Sequence, residues 1–244
     1  MSNDGCHSLP DAILTVSGLC FSYADVRVLC DITLLVRRGE RVGLIGPNGS
    51  GKTTLFLIIC GVLRPEAGKI VLAGQPVVPG SFRPEIGLVF QQPDDQLFSP
   101  TVRDDFAFGP INMGLPPDEV EQRVSDALDS VGLCELAHRP PHHLSGGEKR
   151  MAAIGCVLTM RPQMILYDEP DANLDSRARR RLIHFLQASP AAALIASHDL
   201  RLIREVCHRV ILLDAGAVVA EGETRTVLQN HALLDAHGLE PPGC

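Results

Sequence analysis

No two of the eight cysteines stand as a C-x-x-C pair. Cys6, Cys20, Cys30, Cys60, Cys134, Cys156, Cys207 and Cys244 are scattered along the chain. That spacing excludes the common zinc and dithiol motifs, and 244 residues can bury a core without a disulfide framework. The cysteines read as small buried hydrophobes in a reducing compartment. Long apolar runs are also missing. The best, Thr53–Leu63 and Met151–Met160, fall well short of the ~18 residues that span a bilayer, so any membrane role is expected to be peripheral. Met1–Pro10 has neither the basic nor the apolar region of a signal peptide. There is no basic block. Lys and Arg total 22 against 29 Asp and Glu, a net charge of −7, which lacks the electrostatic footprint of a nucleic-acid binder. Internal repeats, low-complexity stretches and heptads are absent as well. What remains is an ordinary globular composition, 45% hydrophobic and 21% charged, which excludes wholesale disorder.

Short apolar runs recur at Val42–Ile45, Ile86–Phe90, Met164–Tyr167 and Ala192–Ser197, each bounded by Gly or charge. Continuous runs of this length suit strands buried on both faces of a parallel sheet. Helical patterns lie between them, as in Arg177–Gln187, so the class is α/β. Ile70–Val78 and Val210–Glu221 carry Ala73-Gly74 and Asp214-Ala215-Gly216, and both read as hairpins. Thr101–Leu144 breaks the alternation and reads as a helical insert. Within it Asp118 is a candidate N-cap, Val120, Val124, Leu128 and Val131 share one face, and Gly132 is the stop.

Gly46-Pro47-Asn48-Gly49-Ser50-Gly51-Lys52-Thr53 satisfies G-x-x-x-x-G-K-[ST], between the strand Val42–Ile45 and a helical run Thr54–Leu63. The glycines let backbone N–H groups curl around phosphate oxygens, and the helix N-terminus adds a favourable dipole. Lys52 is placed to reach the β/γ-phosphates and Thr53 to ligate Mg²⁺. A Gly-rich turn holding a Lys by chance is the bland alternative, in a chain with only three Lys. The apolar Met164–Tyr167 ends in Asp168 and Glu169, which offers one carboxylate to Mg²⁺ through water and another to polarise an attacking water. Leu144-Ser145-Gly146-Gly147-Glu148 reads as a helix start, with Ser145 the cap and Glu148 completing a capping box. Two glycines there bare the backbone for an anion.

That last motif resembles the signature of ABC-type ATPases, and the resemblance covers about Leu14 to Pro242. It implies a P-loop NTPase (RecA-like) core with an antiparallel β sub-domain and an inserted helical sub-domain. The expected boundaries are 11–96 and 148–244 for the two parts of the core and 97–147 for the insert. It further implies that Gln91 matches the Q-loop glutamine, touching Mg²⁺ and sensing a membrane partner. Asp175 matches the D-loop aspartate at a dimer seam, His198 the switch histidine at the γ-phosphate, and Tyr23 the aromatic stacked on adenine. Catalysis falls to Glu169, His198, Lys52 and Gln91. ATP binding falls to Tyr23, Gly46–Thr54, Ser145, Gly146, Gly147, Glu148 and Asp175, and Mg²⁺ to Thr53, Gln91 and Asp168. Asp171 stands where such proteins usually have Thr or Ser, and Asn173 where they often have Gly.

Within the family, Gly87–Phe98, Thr101–Pro110, Asn112–Leu115 and the ending Ala236–Pro241 resemble energy-coupling-factor importers, the cobalt/nickel branch above all. The resemblance implies a peripheral ATPase on the cytoplasmic face of the membrane, paired with a second ATPase subunit and an integral-membrane subunit, without nucleic acid. A vitamin importer or a soluble ATPase of cofactor assembly are the alternatives. His138, His142 and His143 read as solvated loop histidines, and Arg177, Arg179, Arg180 and Arg181 as a solvated helix face. Asp94, Asp95, Asp104 and Asp105 read as a docking surface for the membrane partner.

Overall fold

The computed structural model describes residues 11–240. Met1–Pro10, Cys244 and the last residue of the Ala236–Pro241 ending lie outside the described residues. The chain opens with a long hairpin, β1 (Ala12–Tyr23) and β2 (Val26–Arg37). β3 (Arg41–Ile45) and α1 (Lys52–Ile59) follow, then a short hairpin, β4 (Ala67–Leu72) and β5 (Gln75–Pro76). Its turn residues, Ala73 and Gly74, both have positive φ, 50° and 78°, the twist that hairpin turns favour. After β6 (Ile86–Val89) come three helices, α2 (Val102–Asn112), α3 (Pro117–Val131) and α4 (Gly146–Leu158). The remainder is β7 (Met164–Asp168), α5 (Ser176–Ala188), β8 (Ala192–Ala196), α6 (Leu200–Val206), β9 (Arg209–Asp214), β10 (Ala217–Glu223), α7 (Thr224–Gln229) and α8 (His231–Ala236).

These strands make two sheets. One is antiparallel, in the order β2-β1-β4-β5. The other has the order β10-β9-β3-β8-β7-β6 and is parallel except for β10. Side chains alternate across the second sheet. Met164 and Leu166 of β7 join Leu55, Phe56 and Ile59 of α1 in a core beneath the antiparallel sheet. Ile165 and Tyr167 face the other way, into a core shared with α2–α6. With both faces covered, the strands need apolar residues at every position, which is why they read as unbroken runs.

Local details depart from the sequence reading at three points. α1 stops at Ile59, short of Leu63, because Gly61 turns left-handed at φ 75°. α3 starts at Pro117 with Pro116 as its N-cap, so Asp118 lies inside the first turn. A proline at that position gives up no hydrogen bond and has its φ preset for a helix. Of the six described cysteines only Cys207 is buried. Cys30, on the outward side of β2, and Cys134, in the turn Cys134–Leu136, are exposed.

Candidate active site

Strand register decides which side chains meet at the carboxyl end of the parallel sheet. Val89 is level with Tyr167, and Tyr167 with Ile195. Two or three residues on, Gln91, Glu169 and His198 leave three neighbouring strands at one height. The ladder runs one step past β7, since Glu169 N donates to Ala196 O at 2.9 Å. Glu169 itself takes a left-handed backbone, φ 44°, a strained state for a residue with a side chain. Its carboxylate is held at both oxygens. Gln91 Nε2 donates to Oε2 at 3.0 Å, and His198 Nε2 lies 2.7 Å from Oε1.

The loop Gly46–Thr53 leaves β3 at the same edge. Only glycine fits at Gly46 (φ 152°), where a Cβ would lie 1.9 Å from the Leu213 carbonyl oxygen of β9. Gly51 (φ 104°) is likewise closed to a side chain, with Leu29 of β2 at 2.7 Å from the Cβ position. Lys52 is buried, and its Nζ donates to Gly46 O (2.8 Å) and Pro47 O (2.9 Å). Burial pulls the Lys52 ammonium below its ordinary pKa, while the charges of Glu169 and Asp168 oppose that. Ser50 Oγ is buried with no hydrogen-bond partner among the described residues. Thr53 Oγ1 donates to Asp168 Oδ2 at 2.7 Å. Burial raises the Asp168 carboxyl above the ordinary carboxylate range, and the Thr53 bond pulls the other way.

Asn48, Gly49, Gly51, Lys52, Thr53, Thr54, Gln91 and Glu169 line a cleft of about 290 Å³, closed on one side by Val28 of β2. Tyr23 is not in that lining. It sits at the tip of the β1–β2 hairpin, 47% exposed and edge-on to Phe21. Val28 was not legible beforehand, because a wall supplied by a distant strand leaves no local pattern.

A second group of the expected site residues lies at the start of α4. Ser145 caps the helix in a full capping box, accepting from Glu148 N while its own N–H donates to Glu148 Oε2 at 2.8 Å. Those bonds hold the Glu148 carboxyl below its ordinary range. Asp175 caps α5, accepting from Ala178 N at 2.8 Å. Asn173 is left-handed, φ 60°, which only Gly adopts more readily. Ser145, Gly146, Gly147, Asn173, Asp175 and Arg177 line a second cleft of about 410 Å³, which shares no residue with the first. A helix N-terminus opening into a cleft favours an anion.

The ABC transporter family model matches residues 29–172, more than half of the chain. The chain belongs to the ABC transporter family. It is an ATP-binding subunit, an ABC-type ATPase, related to the energy-coupling-factor group. The Synechocystis sp. protein sll0385, an ABC transporter ATP-binding protein by name, is 49% identical over 96% of this chain and 82% of its own. The energy-coupling factor transporter ATP-binding protein EcfA of Methanothermobacter thermautotrophicus is 42% identical over 94% of this chain and 77% of its own. The solved structure of cbiO1 from Clostridium perfringens, part of the ABC transporter complex cbiONQ, superposes with a TM-score of 0.82 at 35% identity. It covers 93% of this chain and 94% of that one.

Several polar residues of this ABC ATPase have roles that the sequence reading did not assign. Arg150 is buried and bonded to the backbone beside Gln91. Asp171 accepts from Ser197 Oγ at 2.7 Å, tying the segment after Glu169 to the residue before His198. The acidic docking reading needs correcting at Asp105 alone, since Asp94, Asp95 and Asp104 are exposed. Asp105 is 3% exposed and accepts from Phe98 N and Ser99 N, Asp104 is engaged by the Thr101 cap, and Asp94 pairs with Lys149. Arg177, Arg180 and Arg181 are exposed, as a solvated helix face requires, and Arg179 is half-buried. Arg179 pairs with Asp199 and Glu205, and Arg181 donates to Val131 O and Gly132 O at the end of α3.

Proposed function

We propose that this ATPase works as one of two opposed subunits on the cytoplasmic face of a membrane importer for cobalt and nickel ions. The observation that carries the pairing is the separation of the two clefts. Each offers half of a phosphate site, and a second ATPase subunit facing the first would bring Ser145–Glu148 of one chain to Gly46–Thr53 of the other. In this reading Gly46–Thr54 wraps the triphosphate, Ser50 Oγ gains the partner it lacks, and Lys52 turns from its loop carbonyls to the β/γ-phosphates. Tyr23 stacks on adenine from the hairpin tip, and Asp175 stands at the dimer seam.

Thr53 and Asp168, already 2.7 Å apart, with Gln91 lining the same cleft as Thr53, suit Mg²⁺, which takes few protein oxygens alongside phosphate and water. When bound, the ion would offset phosphate charge. Glu169 orients the attacking water and takes its proton at a carboxylate oxygen. His198, on the same carboxylate, holds the γ-phosphate.

No described helix is long and apolar enough to cross a membrane, so transport requires another subunit. Docking on it is supported by the exposed Phe98, Phe108 and Ile111 on the helical insert, with the two Phe rings edge to face at 4.9 Å. The metal assignment is supported by the likeness to cbiO1 and by the Ala236–Pro241 ending. Radiolabelled Co²⁺ and Ni²⁺ uptake in cells carrying the native operon should fall to background on Lys52→Ala. Metal uptake indifferent to that change, with vitamin uptake impaired instead, would overturn the metal assignment.

A further inference from the structure

Arg150 is 2% exposed, yet it carries a charge that an apolar side chain of similar volume would avoid burying. Its guanidinium fork reaches two successive carbonyls. Nη1 donates to Phe90 O and Nη2 to Gln91 O, both at 2.7 Å, and Nε has no partner among the described residues. Burial lowers the pKa of the guanidinium, and the carboxylates of Asp171 and Asp168 oppose the shift. An arginine nonetheless stays charged in a protein. A planar fork fixed on two adjacent oxygens sets the orientation of that peptide, which a single ammonium would leave free to swing.

The same stretch of backbone is tied to the same helix at further points. Gln96 Nε2 donates to Ala153 O of α4 at 2.7 Å while its Oε1 accepts from Phe90 N at 3.3 Å. Lys149 Nζ lies 2.6 Å from Asp94 Oδ1. Residues 90–96 are thus fastened along α4, the helix whose first turn carries Gly146 and Gly147. At the far end of this chain of contacts, Gln91 Nε2 sits on the Glu169 carboxylate.

We infer that Arg150 is a positioning residue that makes the Gln91 backbone follow α4, so that the placement of the signature helix sets the Glu169 carboxylate through the Gln91 amide. The inference rests on the proposed role of Glu169 in hydrolysis. Its physical content is a coupling between Arg150 and Gln91, so an effect of Arg150 on turnover must pass through the Gln91 side chain.

A double-mutant cycle on the full-length ATPase tests this, with Arg150→Lys, Gln91→Ala and the pair together. Lysine keeps the charge but loses the fork. Arg150→Lys should lower kcat roughly tenfold with KM for ATP within about twofold, since misplacing a catalytic group slows chemistry rather than binding. In the Gln91→Ala background it should have no further effect. Gln96→Leu cuts the neighbouring tie without leaving a buried charge, and should reproduce the kcat loss in smaller measure even if Arg150→Lys folds poorly. An Arg150→Lys loss that multiplies onto that of Gln91→Ala, or a change in KM with kcat intact, would overturn the inference. Failure of the Glu169 role is read separately, from wild-type turnover in Glu169→Gln.

Discussion

His198 Nε2 lies 2.7 Å from Glu169 Oε1, and the two side chains come from adjacent strands joined by one extra ladder bond, Glu169 N to Ala196 O. Gln91 occupies the other carboxylate oxygen. A carboxylate held at both ends has a fixed direction, which is what orienting a water molecule requires.

Glu169→Gln should keep ATP affinity within a few-fold while cutting turnover by roughly 10²–10⁴, the range for loss of a positioned base. Glutamine retains the shape and one acceptor but cannot take a proton. The variant should accumulate as an ATP-bound dimer, visible as a doubling of mass by light scattering. Wild-type turnover would remove Glu169 from that role.

The two signature glycines should respond differently to alanine. A Cβ on Gly147 would lie 2.7 Å from the Ala178 Cβ of α5, whereas one on Gly146 meets nothing within 4 Å. Gly147→Ala must therefore push α5 away from α4, at a cost of about 1–3 kcal/mol by denaturant titration. Gly146→Ala should leave stability within ~0.5 kcal/mol yet lower ATPase activity, because its methyl projects into the signature cleft. Equal stability losses would contradict the packing described for Gly147.

Glu40 gives a pH-dependent stability with a defined sign. Burial pushes its carboxyl up, but bonds from Arg209 and the Arg37 N–H, together with both arginine charges, outweigh burial and hold it below its ordinary value of 4.5. Arg209 Nε donates to Glu40 Oε1 at 2.8 Å, with both side chains largely buried. A depressed carboxyl stabilises the fold fully above its unfolded value, and that contribution is lost as pH falls through the folded value. Glu40→Gln should cost about 1–3 kcal/mol at pH 7. The difference from wild type should shrink as pH drops below 4.5. A difference that grows on acidification would reverse the sign.

Much of the site was readable from short stretches, because each demands an unusual backbone or a charge at a strand end. Gly46–Thr53, Asp168-Glu169 and Ser145–Glu148 are of this kind, and the buried sheet showed itself as unbroken apolar runs. The convergence of Gln91, Glu169 and His198 at one height depends on register between strands, which no single stretch contains. Asp105 read as part of an exposed docking surface. It is buried because the incoming loop turns its Phe98 and Ser99 amides onto the carboxylate. Arg150 drew no reading from the sequence, since its partners are carbonyls and carbonyls carry no sequence signal. Asn173 departs from the usual glycine in chemistry but not in conformation, as its φ of 60° shows.

The most direct test of the two-chain site is to mix two inactive chains. Lys52→Ala disables the phosphate loop, and Gly146→Asp places a negative charge in the signature cleft, where the structure has room for it. Each variant alone should lack ATPase activity. Mixed, half of the dimers at random pairing unite one intact Gly46–Thr53 loop with one intact Ser145–Glu148 turn, so ATP hydrolysis should return at a fraction of the wild-type rate. No recovered hydrolysis from dimers proven to be mixed would contradict a site shared between opposed subunits.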